Sequence, residues 1–136
     1  VSRPVAIIIE DQINISQLYS DALSLAGYDT HAILDGSKAI EALETITPNV
    51  IVLDMNLPHV SGHYILKFIR GEDRLKNIPV IIATANSIMA QAVAAEMTER
   101  DYILIKPVSM KDLHILAKKL KAAPEEKPQE DSSGQK

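Results

Sequence analysis

Apolar residues in this chain fall into short unbroken runs separated by longer stretches of helical period. The runs cover residues 5–9, 30–34, 50–53, 80–83 and 102–105, and the second is the weakest. Three, 5–9, 50–53 and 80–83, consist of Val, Ile and Leu with at most one Ala, as expected of parallel strands covered on both faces. Between them Ile15, Leu18, Ala22 and Leu25 recur at helical spacing, and Gly27 supplies a stop. Ala39, Ile40 and Leu43 form a second helical face after the turn "DGS", and Ile65, Phe68 and Ile69 a third, closed by Gly71. Residues 87–97 read as one Ala-rich helix, and Leu113, Leu116, Ala117 and Leu120 mark the last. Five β-α units in succession predict an α/β fold: a doubly wound parallel sheet with right-handed crossovers and helices on both faces.

The remaining composition narrows the class. The chain has 136 residues, enough for one domain with a real core, and from Pro124 onward no residue could help build one. The division expected is a domain over 1–122 and a disordered tail or linker over 123–136. There is no cysteine, which excludes disulfides, thiolate metal sites and a cysteine nucleophile. A net charge of −4, with only a few lysines around 118–121, argues against a direct grip on nucleic acid. No apolar run is long enough for a bilayer, and the first residues read as strand instead of signal peptide, so a cytoplasmic location is expected.

Ligands of open α/β sheets bind at the carboxyl ends of the strands. Glu10 and Asp11 follow the first run, Asp54 the third, Thr84 the fourth, and Lys106 with Pro107 the fifth. Three carboxylates on one edge repel one another and resist desolvation, and one lysine compensates only part of this. A hard divalent cation such as Mg²⁺ would complete the balance, with oxygen ligands from carboxylates, a backbone carbonyl and water. An aspartate held beside it is a nucleophile toward phosphorus. Mg²⁺ and Lys106 would neutralise the phosphoryl oxygens, and Thr84 would hydrogen-bond the attached group. His59 and His63 are spaced i, i+4 but have no evident third ligand.

In this order and spacing, "IIIEDQ", "VIVLDMNLP" with Gly62 beyond it, "IIATA" and "IKPVS" resemble the receiver domain of two-component response regulators, over about the first 122 residues. The resemblance implies a flavodoxin-like, five-stranded parallel sheet of order 2-1-3-4-5 with five helices. It also implies that Asp54 is the phospho-acceptor and that Glu10 and Asp11 are the acid pair holding Mg²⁺, Asp11 directly and Glu10 through water. Asn56 would add its backbone carbonyl to the metal, Lys106 would pair with the phosphoryl group, and Pro107 would follow a cis peptide. Pro58 and Gly62 would shape the loop after the third strand, and Asn56 and Asn86 occupy positions that tune the lifetime of the aspartyl phosphate. The implied partners are a sensor histidine kinase or phosphotransfer protein carrying phosphohistidine. An effector or a second copy would use the surface of the fourth helix, fifth strand and fifth helix. Such a domain is no enzyme in its own right, although it assists its own phosphorylation and dephosphorylation. No effector domain is visible, so the chain reads as a stand-alone regulator or as a receiver separated from what followed it.

One position departs from the family. Its members carry Tyr or Phe three residues before the lysine, whereas this chain has Ile103 there and Tyr102 one place early. A one-residue offset in a strand reverses the face. The spacing from Thr84 to Lys106 fits without an insertion, so the expectation is a continuous register and no aromatic switch. Two other function classes stay open. A Mg²⁺-dependent phosphohydrolase would need a second acid where Asn56 stands and a substrate cap. A receiver-like scaffold used only for protein contacts would need no phosphorylation.

Overall fold

The computed structural model describes residues 3–126. Five parallel strands, β1 (Val5–Ile9), β2 (Asp29–Ile33), β3 (Val50–Asp54), β4 (Val80–Thr84) and β5 (Tyr102–Ile105), pair in the order β2-β1-β3-β4-β5. The helices are α1 (Ile13–Leu25), α2 (Gly36–Thr45), α3 (Gly62–Gly71), α4 (Ser87–Ala92) and α5 (Met110–Glu126). This is the doubly wound architecture that the alternation predicts. Of the expected tail, residues 123–126 continue the backbone of α5, and 127–136 lie outside the described residues. Among the described residues, no helix is long and apolar enough to cross a membrane.

The period of two along each strand divides the core into two layers. Ile7, Ile9, Ile51, Leu53 and Ile82 join Leu43, Ile65, Ile69 and Val93 on the side of α2, α3 and α4. Ala6, Ile8, Val50, Val52 and Ile81 join Tyr19, Leu23, Leu113 and Ala117 on the side of α1 and α5. Strands β1, β3 and β4 are buried along nearly their whole length, whereas β2 is an edge strand with only partial cover. That difference explains why its apolar run is the weakest.

Two helices depart from the sequence pattern. On α1 the buried face consists of Ser16, Tyr19, Ser20, Ala22 and Leu23, while Leu18 is half exposed and Leu25 is 80% exposed. The expected stripe through Leu18 and Leu25 is therefore rotated. Small serines let the helix lie close to the sheet, and Tyr19 fills the space that a leucine row would have taken. The Ala-rich stretch is not one helix: α4 ends at Ala92 and a 3₁₀ turn covers Ala94–Glu96. Among the described side chains of this stretch, Ala90 and Val93 are buried, Met97 is partly covered and Ala94 is exposed. Packing through two side chains three residues apart suits a tighter turn, and tertiary contact overrides intrinsic propensity.

The pole of the sheet away from the strand ends is tied by a carboxylate that the sequence reading does not single out. Asp101, its side chain fully buried, accepts hydrogen bonds from the backbone N–H of Val80 (2.7 Å) and of Thr98 (2.7 Å) and pairs with the Arg70 guanidinium. Arg70 also donates to the carbonyls of Lys76 and Ile78, both at 3.1 Å. One network thus joins the end of α3, the start of β4 and the loop before β5. Asp101→Ala leaves a largely buried guanidinium and two amides without their acceptor, and should cost about 3–5 kcal/mol in urea unfolding. At the other pole, a Cβ on Gly62 would lie 2.6 Å from Met55 Cα and 2.7 Å from the Asp54 carbonyl oxygen. Gly62→Ala should therefore lower stability by about 1–3 kcal/mol and displace the end of β3, visible as altered amide chemical shifts at Asp54 and Met55.

Candidate functional site at the strand ends

Asp54 is the last residue of β3, and Glu10 and Lys106 come one step past β1 and β5; the strand alternation places all three on the side of Ala6/Ile8, Val50/Val52 and Tyr102/Leu104. The backbone ladder continues to these positions: Glu10 N–H donates to Ile33 O (3.1 Å), Met55 N–H to Ala83 O (3.0 Å) and Lys106 N–H to Thr84 O (2.8 Å). The Lys106 ammonium stands 3.1 Å from Asp54 Oδ1 and 3.5 Å from Glu10 Oε1. Asp54 Oδ1 also accepts from the Asn56 backbone N–H at 2.9 Å. Asp54 is 1% exposed and Glu10 fully buried, while Asp11 is partly open.

Glu10, Asp11 and Asp54 each offer one carboxylate oxygen, and the three oxygens lie within 4.8 Å of one another. Among the described residues this is the one cluster of such groups. Burial raises the Glu10 carboxyl above the usual glutamate range, and the neighbouring Asp54 charge raises it further. The Gln12 N–H (3.1 Å to Oε2) and Lys106 oppose that rise without cancelling it. Glu10 Oε1 has no hydrogen-bond partner. A buried, unsatisfied acceptor inside a set of hard oxygen donors fits Mg²⁺ by ligand type.

Thr84 lies on the opposite side of the sheet, in line with Ile82. Its hydroxyl closes a local turn, accepting from Asn86 N–H (3.1 Å) and donating to Asn86 O (3.3 Å). The Lys106–Pro107 peptide is cis, as the resemblance implies. Strands β4 and β5 pair without a bulge, Ile82 opposite Ile103 and Thr84 opposite Ile105. Ile103 therefore packs on the α4 side, whereas Tyr102 packs on the α5 side under the Lys119 ammonium, 5.5 Å from its ring centre. His59 sits in the loop with φ 69° and His63 on α3, so the two do not share a helical face. Tyr19, absent from the sequence reading, is buried beneath the acids. Burial first, and then the charges of Glu10 and Asp54, push its phenol up to about 12, which keeps it a proton donor. Its place in an otherwise Ser/Ala-lined buried face is the signal that could have found it.

The electrostatics predict a stability cost in the metal-free protein. Because the folded state raises the Glu10 carboxyl, its contribution is present at low pH and is lost as pH rises through the folded value. Glu10→Gln, with EDTA present, should therefore raise the melting temperature at neutral pH, by roughly 1–2 kcal/mol of stability. The gain should vanish as pH falls through the ordinary glutamate range. Added Mg²⁺ should stabilise the wild type more than the variant, read by circular dichroism melts.

The geometry agrees with comparison to known proteins. A sequence model of the response regulator receiver domain matches residues 6–118. The DNA-binding dual master transcriptional regulator RpaA of Synechocystis is 32% identical, over 81% of this chain and 46% of its own length. The chain thus spans less than half of that regulator, and the same holds for the probable transcriptional regulator ycf27 of Cyanophora paradoxa and of Porphyridium aerugineum, at 46% and 43%. The receiver domain of Francisella response regulator 1452 superposes with a TM-score of 0.74 at 28% identity, covering 86% of this chain and 95% of that one. The receiver domain of the sensor histidine kinase PA1611 from Pseudomonas aeruginosa, which has a magnesium ion coordinated in its active-site cleft, shares the fold at a TM-score of 0.75. It is 22% identical, with 88% and 98% coverage. With its order of strands, its acids at the ends of β1 and β3 and its lysine before a cis proline, this chain belongs to the response regulator receiver domain family.

Proposed function

We propose that the chain accepts a phosphoryl group on Asp54, in a Mg²⁺-dependent transfer from a phosphohistidine, and uses it as a signal. The observation that carries this reading is the placement of Asp54 against Lys106 at 3.1 Å, within a three-carboxylate cluster whose buried Glu10 Oε1 has only the Lys106 charge at 3.5 Å and no hydrogen bond. Glu10, Asp11 and Asp54, with the Asn56 carbonyl, are the residues that would hold Mg²⁺. The magnesium in the Pseudomonas receiver's cleft supports that choice of ion. When bound, the ion supplies positive charge against the carboxylates and the phosphoryl oxygens.

Asp54 Oδ1 is engaged by Lys106 and by the Asn56 N–H, so Oδ2 is the oxygen that attacks phosphorus. The P–O bond forms as the P–N bond to the donor imidazole breaks, and the electron pair stays on nitrogen. Lys106 then pairs with a phosphoryl oxygen, and Thr84 exchanges its turn hydrogen bonds with Asn86 for one to the phosphoryl group. Hydrolysis reverses the modification: water attacks phosphorus, the P–O bond to Asp54 breaks, and phosphate leaves. These steps are assisted by the domain itself and need no separate active site.

A protein-borne donor, a sensor histidine kinase or a phosphotransfer protein, is favoured by the surface beside the acids. Gln12, Ile15, Leu18, Tyr19, Lys106, Pro107, Val108 and Met110 line a largely apolar depression of about 420 Å³, with Ile13 exposed nearby. The output reading runs from Thr84 to the face of α4, β5 and α5, where an effector or a second copy would bind. Ile88 is 74% exposed there. A population shift with a local electrostatic cause suffices, without an aromatic relay. A cytoplasmic location accords with such partners. The Ile103 position favours one other reading, a receiver-like scaffold that binds Mg²⁺ but takes no phosphoryl group.

Intact mass after incubation with acetyl phosphate separates the two. One added phosphoryl group is expected on the wild type with Mg²⁺, and none without Mg²⁺ or on Asp54→Asn. Failure with acetyl phosphate and with a phosphohistidine donor, while Mg²⁺ still binds, would leave the scaffold.

A further inference from the structure

The pole opposite the acids holds a second, chemically inverted site. Between the end of α5 and the loops entering β3, β4 and β5 lies a cavity of about 230 Å³. Its polar lining is Tyr28, Asn49, Asn77, Arg100 and Lys121, and among the described residues no carboxylate contributes to it. The rest of the lining is apolar and proline-rich, including Pro79.

The hydrogen-bonding capacity of that lining is one-sided. The Tyr28 hydroxyl is already spent on the Ala117 carbonyl at 2.8 Å. Asn49 Oδ1 accepts from Val5 N–H at 2.8 Å, which turns its carboxamide so that Nδ2 keeps both donors. Arg100 reaches the Leu120 carbonyl only at 3.5 Å, and its Nε is buried without a hydrogen-bond partner. Among the described residues, neither Arg100 nor Lys121 forms an ion pair. Two cations and free amide donors converge without an acceptor of matching charge, in a protein whose net charge is −4. A buried guanidinium donor left unsatisfied is costly, and oxyanions are the groups whose geometry satisfies it.

We propose that this cavity binds a compact dianionic oxyanion of the phosphate class, free or as a monoester, held by Arg100 and Lys121 with Asn49 and Asn77 as additional donors. Two full positive charges favour a dianion over a carboxylate, whose single charge would leave one cation unmatched. The volume admits a phosphate with a small substituent and excludes a nucleic-acid strand. The site is independent of Asp54: it sits at the other end of the sheet and involves none of the Mg²⁺-binding residues.

The test is amide chemical-shift mapping on the full chain in EDTA, titrated with sodium phosphate above its second pKa and with sodium acetate at matched ionic strength. Phosphate should give saturable shifts at Asn49, Asn77, Ile78, Arg100 and Lys121, and acetate should bind more weakly. Arg100→Gln and Lys121→Gln should each weaken phosphate binding about tenfold, the loss expected of one charge-assisted hydrogen bond. Shifts confined to the Glu10–Asp54 pole, shifts that do not saturate, acetate binding as tightly as phosphate, or variants that bind like the wild type would each overturn the proposal. If Arg100→Gln loses spectral dispersion, Lys121→Gln decides alone, because its side chain is exposed and its loss leaves the core intact.

Discussion

Like charge forced together at the ends of buried strands is the constraint around which the molecule is built. Glu10 and Asp54 leave the sheet on the same side because their strands run parallel in register, Ile8 opposite Val52 and Ile9 opposite Leu53. The sheet is covered on both faces, so the two carboxylates cannot retreat into water, and a single lysine meets both. A fold that only needed stability would not keep this arrangement. It is an electrostatic imbalance waiting for a cation and a group that carries oxygens of its own.

The opposite pole handles a buried carboxylate in the other way. Asp101 is satisfied by two backbone amides and an arginine, and it joins α3, β4 and the loop before β5 into one rigid base. Satisfied polar networks rigidify, whereas unsatisfied ones invite ligands. The two ends of the sheet thus divide the work, one fixing the strands and the other exposing reactive charge. Arg100, next in sequence to Asp101, returns to the unsatisfied condition with the sign reversed.

Between the poles, the two faces of the sheet carry different tasks. Glu10, Asp54, Lys106 and the buried Tyr19 belong to the α1/α5 side, the side that would meet a donor under the proposed function. Thr84 and Ile103 belong to the α4 side, where a six-residue helix is followed by a 3₁₀ turn and, among the described side chains, Ala90 and Val93 are the buried contacts. Under the proposed function, this short element is the one whose position the relocated Thr84 hydroxyl would bias. With isoleucine in place of an aromatic on that face, the coupling in the proposed function would depend on Thr84 and the loop it closes.

By itself the amino-acid sequence determined the succession of elements, the edge on which the polar residues would gather, and the identity of Glu10, Asp11, Asp54 and Lys106. These follow from local regularities: apolar runs for buried strands, period 3.6 for helices, and the handedness of parallel crossovers. Even the Ile103 register was legible, because a period of two needs only counting. What tertiary structure alone decided has no local signal. The phase of α1 depends on how closely its serines let it approach the sheet, and the break after Ala92 on which two side chains find the core. Asp101 and Arg70 stand 31 positions apart, and Asn49, Arg100 and Lys121 are scattered along the chain. Only the closing of loops around the base of the sheet brings such residues together, since Coulomb attraction and hydrogen bonding act over distances in space and carry no period along the chain.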